Sequence, residues 1–472
     1  MVAAILALAA AVLAHAADAP VAAKLPIPAH EVLGVTEAQL SAEFWIAKLR
    51  EPDRVVLDVV TIAARNAKLQ RTDPSMHDLH ALSPALSREQ VLAWIKDLSV
   101  RPQHELFDRD GKPVDSHTID GVLDALALDA IPPTQPTRYG LVVHRADLRT
   151  FPTALRVFST RGDTDIDRFQ ESALFPGTPV AIAHCSKDGE WLFVISPRYA
   201  AWIETKFIAE GSAQQVFAYA DKAPYRVVTG AVQNTVSTPE QPALSELRLD
   251  MGVRVPLLTD WPAAKAVNGQ HPYASHVIEL PLRDAAGKLA FGPALLQKNA
   301  DTRADYLPLT QANILRQAFK FLGERYGWGH SYDARDCSGF VSDVYHSMGV
   351  EMPRNTRDQS LSPGLDHRLF GANDDRAARM AAARALQPGD LVYIPGHVMM
   401  AIGSIDGEPY VIHDTTGLSY RRGDGSKARV TLNEVSVSPL TPLLFGDTQT
   451  YIDRMTSIVR IRPVSKDSDN TP

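Results

Sequence analysis

Tyr326-Gly327-Trp328-Gly329-His330, and shortly after it Asp336-Cys337-Ser338-Gly339-Phe340-Val341, is the stretch on which the reading of this chain turns. A helix is predicted to begin inside it. Phe340, Val341, Val344, Tyr345 and Met348 fall on one helical face, and Gly349 stands where a helix stops. Asp336 is the natural N-cap, which leaves Cys337 at the first helical position. A thiol there faces the positive end of the helix dipole, so its pKa is expected to be lowered. A thiolate is the nucleophile that cysteine chemistry needs. Cys337 also lies near the apolar face, so position alone fits a buried core cysteine equally well.

A general base follows downstream. Gln387-Pro388-Gly389-Asp390-Leu391-Val392 reads as a turn into a strand, and His397 opens the next strand at 398–402. His413 ends a further strand after Tyr410-Val411-Ile412. Neighbouring antiparallel strands set His413 beside His397, where it can orient the ring and support an imidazolium. Cys337, His397 and His413 then fit nucleophile, base and orienter. Asp414 is adjacent and a carboxylate serves the third role equally well. Strand alternation sends the two to opposite faces, so only one of them can act.

The rest of the chain sets bounds on this reading. Its 472 residues are 45% hydrophobic and 22% charged, with 48 Lys and Arg against 55 Asp and Glu. That is globular composition, enough for about three domains. A net charge of -7 argues against a nucleic-acid binder, which needs a basic stripe. Two cysteines, Cys185 and Cys337, exclude a disulfide scaffold and a cysteine-rich zinc site. Neither metal-ligand spacing nor a phosphate-binding glycine loop is present, so no cofactor is expected. Residues 1–14 are apolar and lead into Ala14-His15-Ala16, a small-x-small pattern. They read as a secretory signal over 1–17, although no Lys or Arg precedes the apolar run. The run is too short to span a bilayer. An exported monomer without a membrane anchor is expected, located in the periplasm or the extracellular wall.

Helical spacing recurs over 37–69, with Thr36 and Gln39 as a capping box, and again from Ser87 to Leu98. Residues 18–133 are therefore expected to be mostly helical. Ile131-Pro132-Pro133-Thr134-Gln135-Pro136 marks a boundary. Short strand-like runs follow at 139–144, 180–183, 191–195 and 201–205, with a hairpin turn at Lys187-Asp188-Gly189. More follow at 215–219, 225–229, 254–258 and 276–280. They predict two small all-β SH3-like barrels, 134–211 and 212–300. An α+β domain over 301–465 and a disordered tail over 466–472 complete the chain. Cys185, Trp191, Trp202 and Trp261 read as packing residues. His346 falls on the polar side of its helix and reads as solvated.

Taken together, the Tyr-x-Trp-Gly and Asp-Cys-Ser-Gly-Phe-Val window, the Pro-Gly-Asp-Leu turn and the strand-borne His resemble the NlpC family of papain-like cysteine peptidases. Pro353-Arg354-Asn355-Thr356 and Gln359 resemble the positions that follow the catalytic helix in that family. The resemblance covers about 309–461, and the preceding modules are similar to those of multi-domain exported members. It implies Cys337 as nucleophile, His397 as base, His413 as third residue and Tyr326 as a hydroxyl beside the nucleophile. It also implies that Asp336 and Ser338 bind the free amino group of an N-terminal L-alanine, with Trp328 and His330 at the substrate-binding cleft. Members cleave the bond between γ-D-glutamate and a diamino acid in peptidoglycan peptides, L-Ala-γ-D-Glu-diamino acid. His330 departs from the family pattern, which has a glycine there; it is expected to narrow the cleft or to occupy a φ > 0 position. An amidase or acyltransferase on the same core, or a non-catalytic wall-binding protein, are the competing expectations.

Overall fold

The computed structural model describes residues 25–463. The expected signal at 1–17 and the tail at 466–472 lie outside them.

Helices Ala42–Ile46, Val59–Thr72, Arg88–Leu98 and Ser116–Asp124 dominate the first segment. Side-chain caps set three of their starts: Asp58 accepts from the Thr61 amide at 2.7 Å, Ser87 from Gln90 at 3.2 Å and Asp115 from Thr118 at 2.7 Å. The segment is less uniformly helical than its spacing predicts. Because Asp58 caps the second helix, Val55 and Val56 fall before it, in the short strand Val55–Leu57 that pairs with Leu309–Thr310. Nor does the segment form one unit. Trp45, Ile46, Leu57, Ile62 and Leu69 join the apolar core of the C-terminal domain, whereas Val91, Ile95, Ile119 and Val122 pack with the first barrel.

That barrel is a seven-stranded antiparallel sheet in the order Ile208–Gly211, Arg138–Val142, Pro179–Cys185, Trp191–Ile195, Ala200–Glu204, Ala146–Arg149, Gln170–Leu174. Val142, Leu148, Val180, Ile182, Val194 and Ile203 fill part of its interior. The Lys187-Asp188-Gly189 turn joins two of its strands, with Gly189 at φ +80°. Strand Thr134–Pro136 pairs with Ala85–Ser87 instead, so the barrel begins a few residues later than the proline run suggests.

The second module opens with a helix, Ala213–Asp221, not the strand expected at 215–219. Ser212 and Gln215 form a capping box, and Val216 and Tyr219 are buried three residues apart, which is helical periodicity. Its strands form a three-stranded sheet of Arg254–Pro256, Tyr225–Val228 and Thr302–Arg303, the hairpin Ser275–Arg283 with Leu289–Gln297, and the pair Val232–Asn234 with Arg248–Asp250. Thr302–Arg303 carries this module past residue 300.

In the C-terminal domain, helices Gln311–Phe319 and Cys337–His346 pack on a six-stranded antiparallel sheet. Its order is Asp366–Leu369, Ser457–Arg460, Leu391–Ile394, His397–Ile405, Glu408–Arg421, Lys427–Pro439. Phe340, Val341, Val344 and Tyr345 meet Val398, Met400 and Ile402 in the core between them. Trp45 from the first segment packs beside Tyr410 on this sheet, with ring centroids 5.2 Å apart. No helix among the described residues is long and apolar enough to cross a membrane.

Candidate active site

Asp336 has extended backbone (φ −101°, ψ 178°) and its carboxylate accepts from the Gly339 amide at 2.8 Å, so the helix starts at Cys337 as its capping chemistry requires. The opposite wall is the start of strand His397–Ile405. His397 Nε2 lies 2.8 Å from His413 Nδ1, and His413 Nε2 lies 3.0 Å from Ser438 Oγ. Of the two candidates for the third position, His413 is the one whose side chain bonds His397. Asp414 points to the other face, is fully buried, and neither of its carboxylate oxygens has a hydrogen-bond partner among the described residues. Burial, with Asp336 and Glu324 nearby, pushes its pKa well up.

Cys337 is 5% exposed, with its sulfur 3.8 Å from Thr356 Oγ1 and the Val398 amide turned toward it. Its thiol is not acidified as the helix position predicts. Burial first, and the Asp336 carboxylate second, push it up to about 12. Desolvation outweighs the helix dipole because the thiolate would give up water for few compensating donors. Burial also lowers His397 to about 4. The resting pair is therefore a neutral thiol and a neutral imidazole. Tyr326 is buried beside them; desolvation, then the proximity of Cys337 and Asp336, raises its phenol well above the usual range.

The cap residue does more than cap. Arg354 Nη2 donates to Asp336 Oδ2 at 2.7 Å and its Nη1 to Ser338 Oγ at 2.9 Å. Its Nε donates to Ser172 Oγ of the first barrel at 2.7 Å. Ser338 and the Gly329 amide also donate to Asp336. Burial opposes ionisation of Asp336, yet Arg354 and these donors hold its pKa below the usual carboxylate value. Both oxygens of the group expected to meet a substrate ammonium are thus already engaged by a guanidinium.

The loop before Cys337 is tightly wound. Gly329, His330, Tyr332 and Asp333 have φ of 57°, 63°, 60° and 55°. Non-glycine residues in that region cost about 1 kcal/mol each, so neighbouring structure must hold them there. The first barrel does so. Arg145 donates to Asp333 Oδ1 at 2.7 Å and to the His330 and Ala334 carbonyls, and Gln170 Nε2 donates to the Gly329 carbonyl at 2.8 Å. His330 keeps the φ > 0 conformation that its place in the pattern requires. Its ring is 3% exposed and packs against Gly339 and Phe175, so it does not line the cleft as a substrate-binding residue would. Trp328 is half-buried, its indole N–H donating to the Gln170 carbonyl at 3.2 Å. Arg335, fully buried, ties Asp343, Glu324 and Asp250 of the second module together just before the nucleophile.

Two further groups close the site from the barrel. Glu171 accepts from Thr150 Oγ1 and from Tyr199 Oη, both at 2.5 Å, and has no cationic side chain within ion-pair distance among the described residues. Tyr199 also reaches Asn355, the neighbour of Thr356 at the sulfur. Gln170, Glu171, Ser172 and Tyr199 carried no motif; an acidic residue in a strand pattern at Gln170–Leu174 is the only trace they leave in the sequence. Elsewhere, Cys185 is a free, half-buried thiol at a strand end, and Trp191 and Trp202 are core residues. His346 is not simply solvated: its Nδ1 lies 3.1 Å from Glu351 Oε1, and its ring fills the space where a Cβ on Gly252 would stand.

Residues 323–436 match the model of the NlpC/P60 family, and residues 156–204 that of an SH3 domain of the SH3b1 type. No curated protein matches the chain in sequence. Among solved structures, an NlpC/P60 endopeptidase from Photobacterium damselae subsp. piscicida superposes with a TM-score of 0.70 at 16% identity, over 89% of this chain and 96% of that one. An NlpC/P60 family protein from Bacillus cereus ATCC 10987 gives 0.46 at 21% identity, over 69% and 100%. The first of these shows a shared fold along almost the whole chain. Behind an SH3 domain, the chain carries a C-terminal domain of the NlpC/P60 family.

Proposed function

We propose that this protein is an exported cysteine endopeptidase that hydrolyses the γ-D-glutamyl bond to a diamino acid in peptidoglycan stem peptides, preferring those with a free N-terminal L-alanine. The observation that carries the reading is Cys337 at a helix start with its sulfur toward the Val398 amide, next to His397, whose ring is linked to His413 and Ser438. As Sγ attacks the γ-glutamyl carbonyl carbon, its proton passes to His397, and the helix N-terminus and Tyr326 receive the oxyanion. The C–N bond breaks, His397 protonates the leaving amine, and a thioester remains. Water then attacks the thioester, gives a proton to His397, and the proton returns to sulfur as the acid leaves.

The amino-terminal preference rests on charge. An ammonium needs a carboxylate, and Asp336 already serves Arg354, whereas Glu171 carries only hydroxyl donors, one of them Tyr199, which also reaches Asn355 beside Thr356. Glu171 is thus assigned the ammonium, with Asp336 and Ser338 holding the wall behind it. The test compares kcat/KM for L-Ala-γ-D-Glu-diaminopimelate with its N-acetyl form. Acetylation should lower it by about 10- to 100-fold, the worth of one charge-assisted hydrogen bond, and Glu171→Gln should erase most of that difference. Equal cleavage of the two peptides would refute the preference, and a product that keeps the acyl group on a new amine would mark a transferase instead.

A further inference from the structure

A second site lies at the other end of the nucleophile helix. His346 closes that helix, about 14 Å along it from Cys337. Beside it, where the first segment, both β modules and the C-terminal domain meet, is a cavity of about 420 Å³. Phe175 and Met251 form part of an apolar wall, and Arg198, Arg254, His346 and Glu351 bring charge to it.

The charges do not balance. Arg198 makes no hydrogen bond or ion pair among the described residues, although its field reaches Glu351. Arg254 spends its terminal nitrogens on the Ala220 and Lys222 carbonyls and lies 3.7 Å over the Tyr225 ring, while its Nε is buried without a partner. His346 and Glu351 form a pair at 3.1 Å. Asp343 also lines the space, but Arg335 Nε holds it at 2.7 Å. Arg198 and Arg254 therefore have no carboxylate of their own. Arg254 Nε is a buried donor without an acceptor, a deficit that an incoming carboxylate would make good.

We infer that this junction cavity binds the carboxylate of a short peptide, with Arg198 and Arg254 Nε on the carboxylate and the apolar wall on a side chain. The volume is at the small end of the range for ligand sites, suited to a dipeptide or tripeptide. An inorganic anion would satisfy the cations and leave the apolar wall unused.

Calorimetric titration of the Cys337→Ala protein tests this without relying on turnover. The probes are N-acetyl-L-alanyl-L-alanine, which lacks the ammonium that the cleft would bind, its C-terminal amide and inorganic phosphate. Saturable binding of the dipeptide is expected, with loss of binding for the amide. Affinity should fall about tenfold or more in Arg198→Gln, recover in part in Arg198→Lys, and stay unchanged in the cleft variant Glu171→Gln. Thermal unfolding of each Arg198 variant checks that it is folded. No binding, equal affinity in Arg198→Gln, loss of binding in Glu171→Gln, or phosphate binding as tightly as the dipeptide would each overturn the inference.

Discussion

His397 Nε2 stands 2.8 Å from His413 Nδ1, and this contact fixes which nitrogen of His397 is free for chemistry. With the proton on Nε2 donated to His413, and the His413 Nε2 proton donated to Ser438 Oγ, His397 Nδ1 keeps its lone pair. The reverse arrangement would place a proton on Nδ1 and remove the base. On the proposed mechanism, His413 would hold the first of these tautomers and support the imidazolium that forms.

Replacing His413 by Ala should lower kcat by about 10²- to 10³-fold with little change in KM, since substrate does not touch this side chain. His413→Asn, whose amide oxygen can still accept from His397, should recover most of the loss. Release of diamino acid from the tripeptide measures both. If His413→Ala kept full kcat, the orienting role would be wrong.

The pH profile follows from the burial of the pair. His397 must be unprotonated to act as base, and its pKa is lowered to about 4. Activity is then lost as pH falls through about 4, not through the ordinary histidine value near 6.5. On the alkaline side the Cys337 thiol, pushed up to about 12, remains protonated across the working range. A kcat/KM profile flat from about pH 5 to 8 is expected, and an acid limb near 6.5 would contradict it.

Gly339 and His330 test how the wound loop is seated. A Cβ on Gly339 would lie 2.4 Å from His330 Nε2. Gly339→Ala should therefore destabilise the protein by about 1–3 kcal/mol in urea unfolding. His330→Gly keeps the φ > 0 conformation and clears the space, so the double variant should lose less than the sum of the two single ones. Strict additivity would show that the two residues do not press on each other.

Much of this site is local in the chain, and local features are legible. Asp336 caps the helix because an aspartate precedes an apolar 3.6-residue period, and the histidines fall on facing strands because their runs alternate. The strand Lys427–Pro439, which brings Ser438 to His413, was not among the expected elements, although Ala428, Val430 and Leu432 alternate with polar residues. What depends on distant segments was not. Glu171, Ser172 and Tyr199 reach the site only through packing of the first barrel on the C-terminal domain. The shift of the Cys337 thiol is also tertiary, because the helix start predicts a lowered pKa until burial is known. The helix Ala213–Asp221 differs from the strand expected at 215–219 because Val216, Phe217 and Tyr219 make a short apolar run without a clear period; the Ser212 and Gln215 cap is the stronger signal.

The central claim is that Cys337 is the nucleophile of a γ-D-glutamyl endopeptidase. Mass spectrometry of L-Ala-γ-D-Glu-diaminopimelate incubated with the protein tests it directly. The wild type should release free diaminopimelate together with L-Ala-D-Glu, and Cys337→Ala should release neither. Release by Cys337→Ala at the wild-type rate, or no release by the folded wild type, would contradict it.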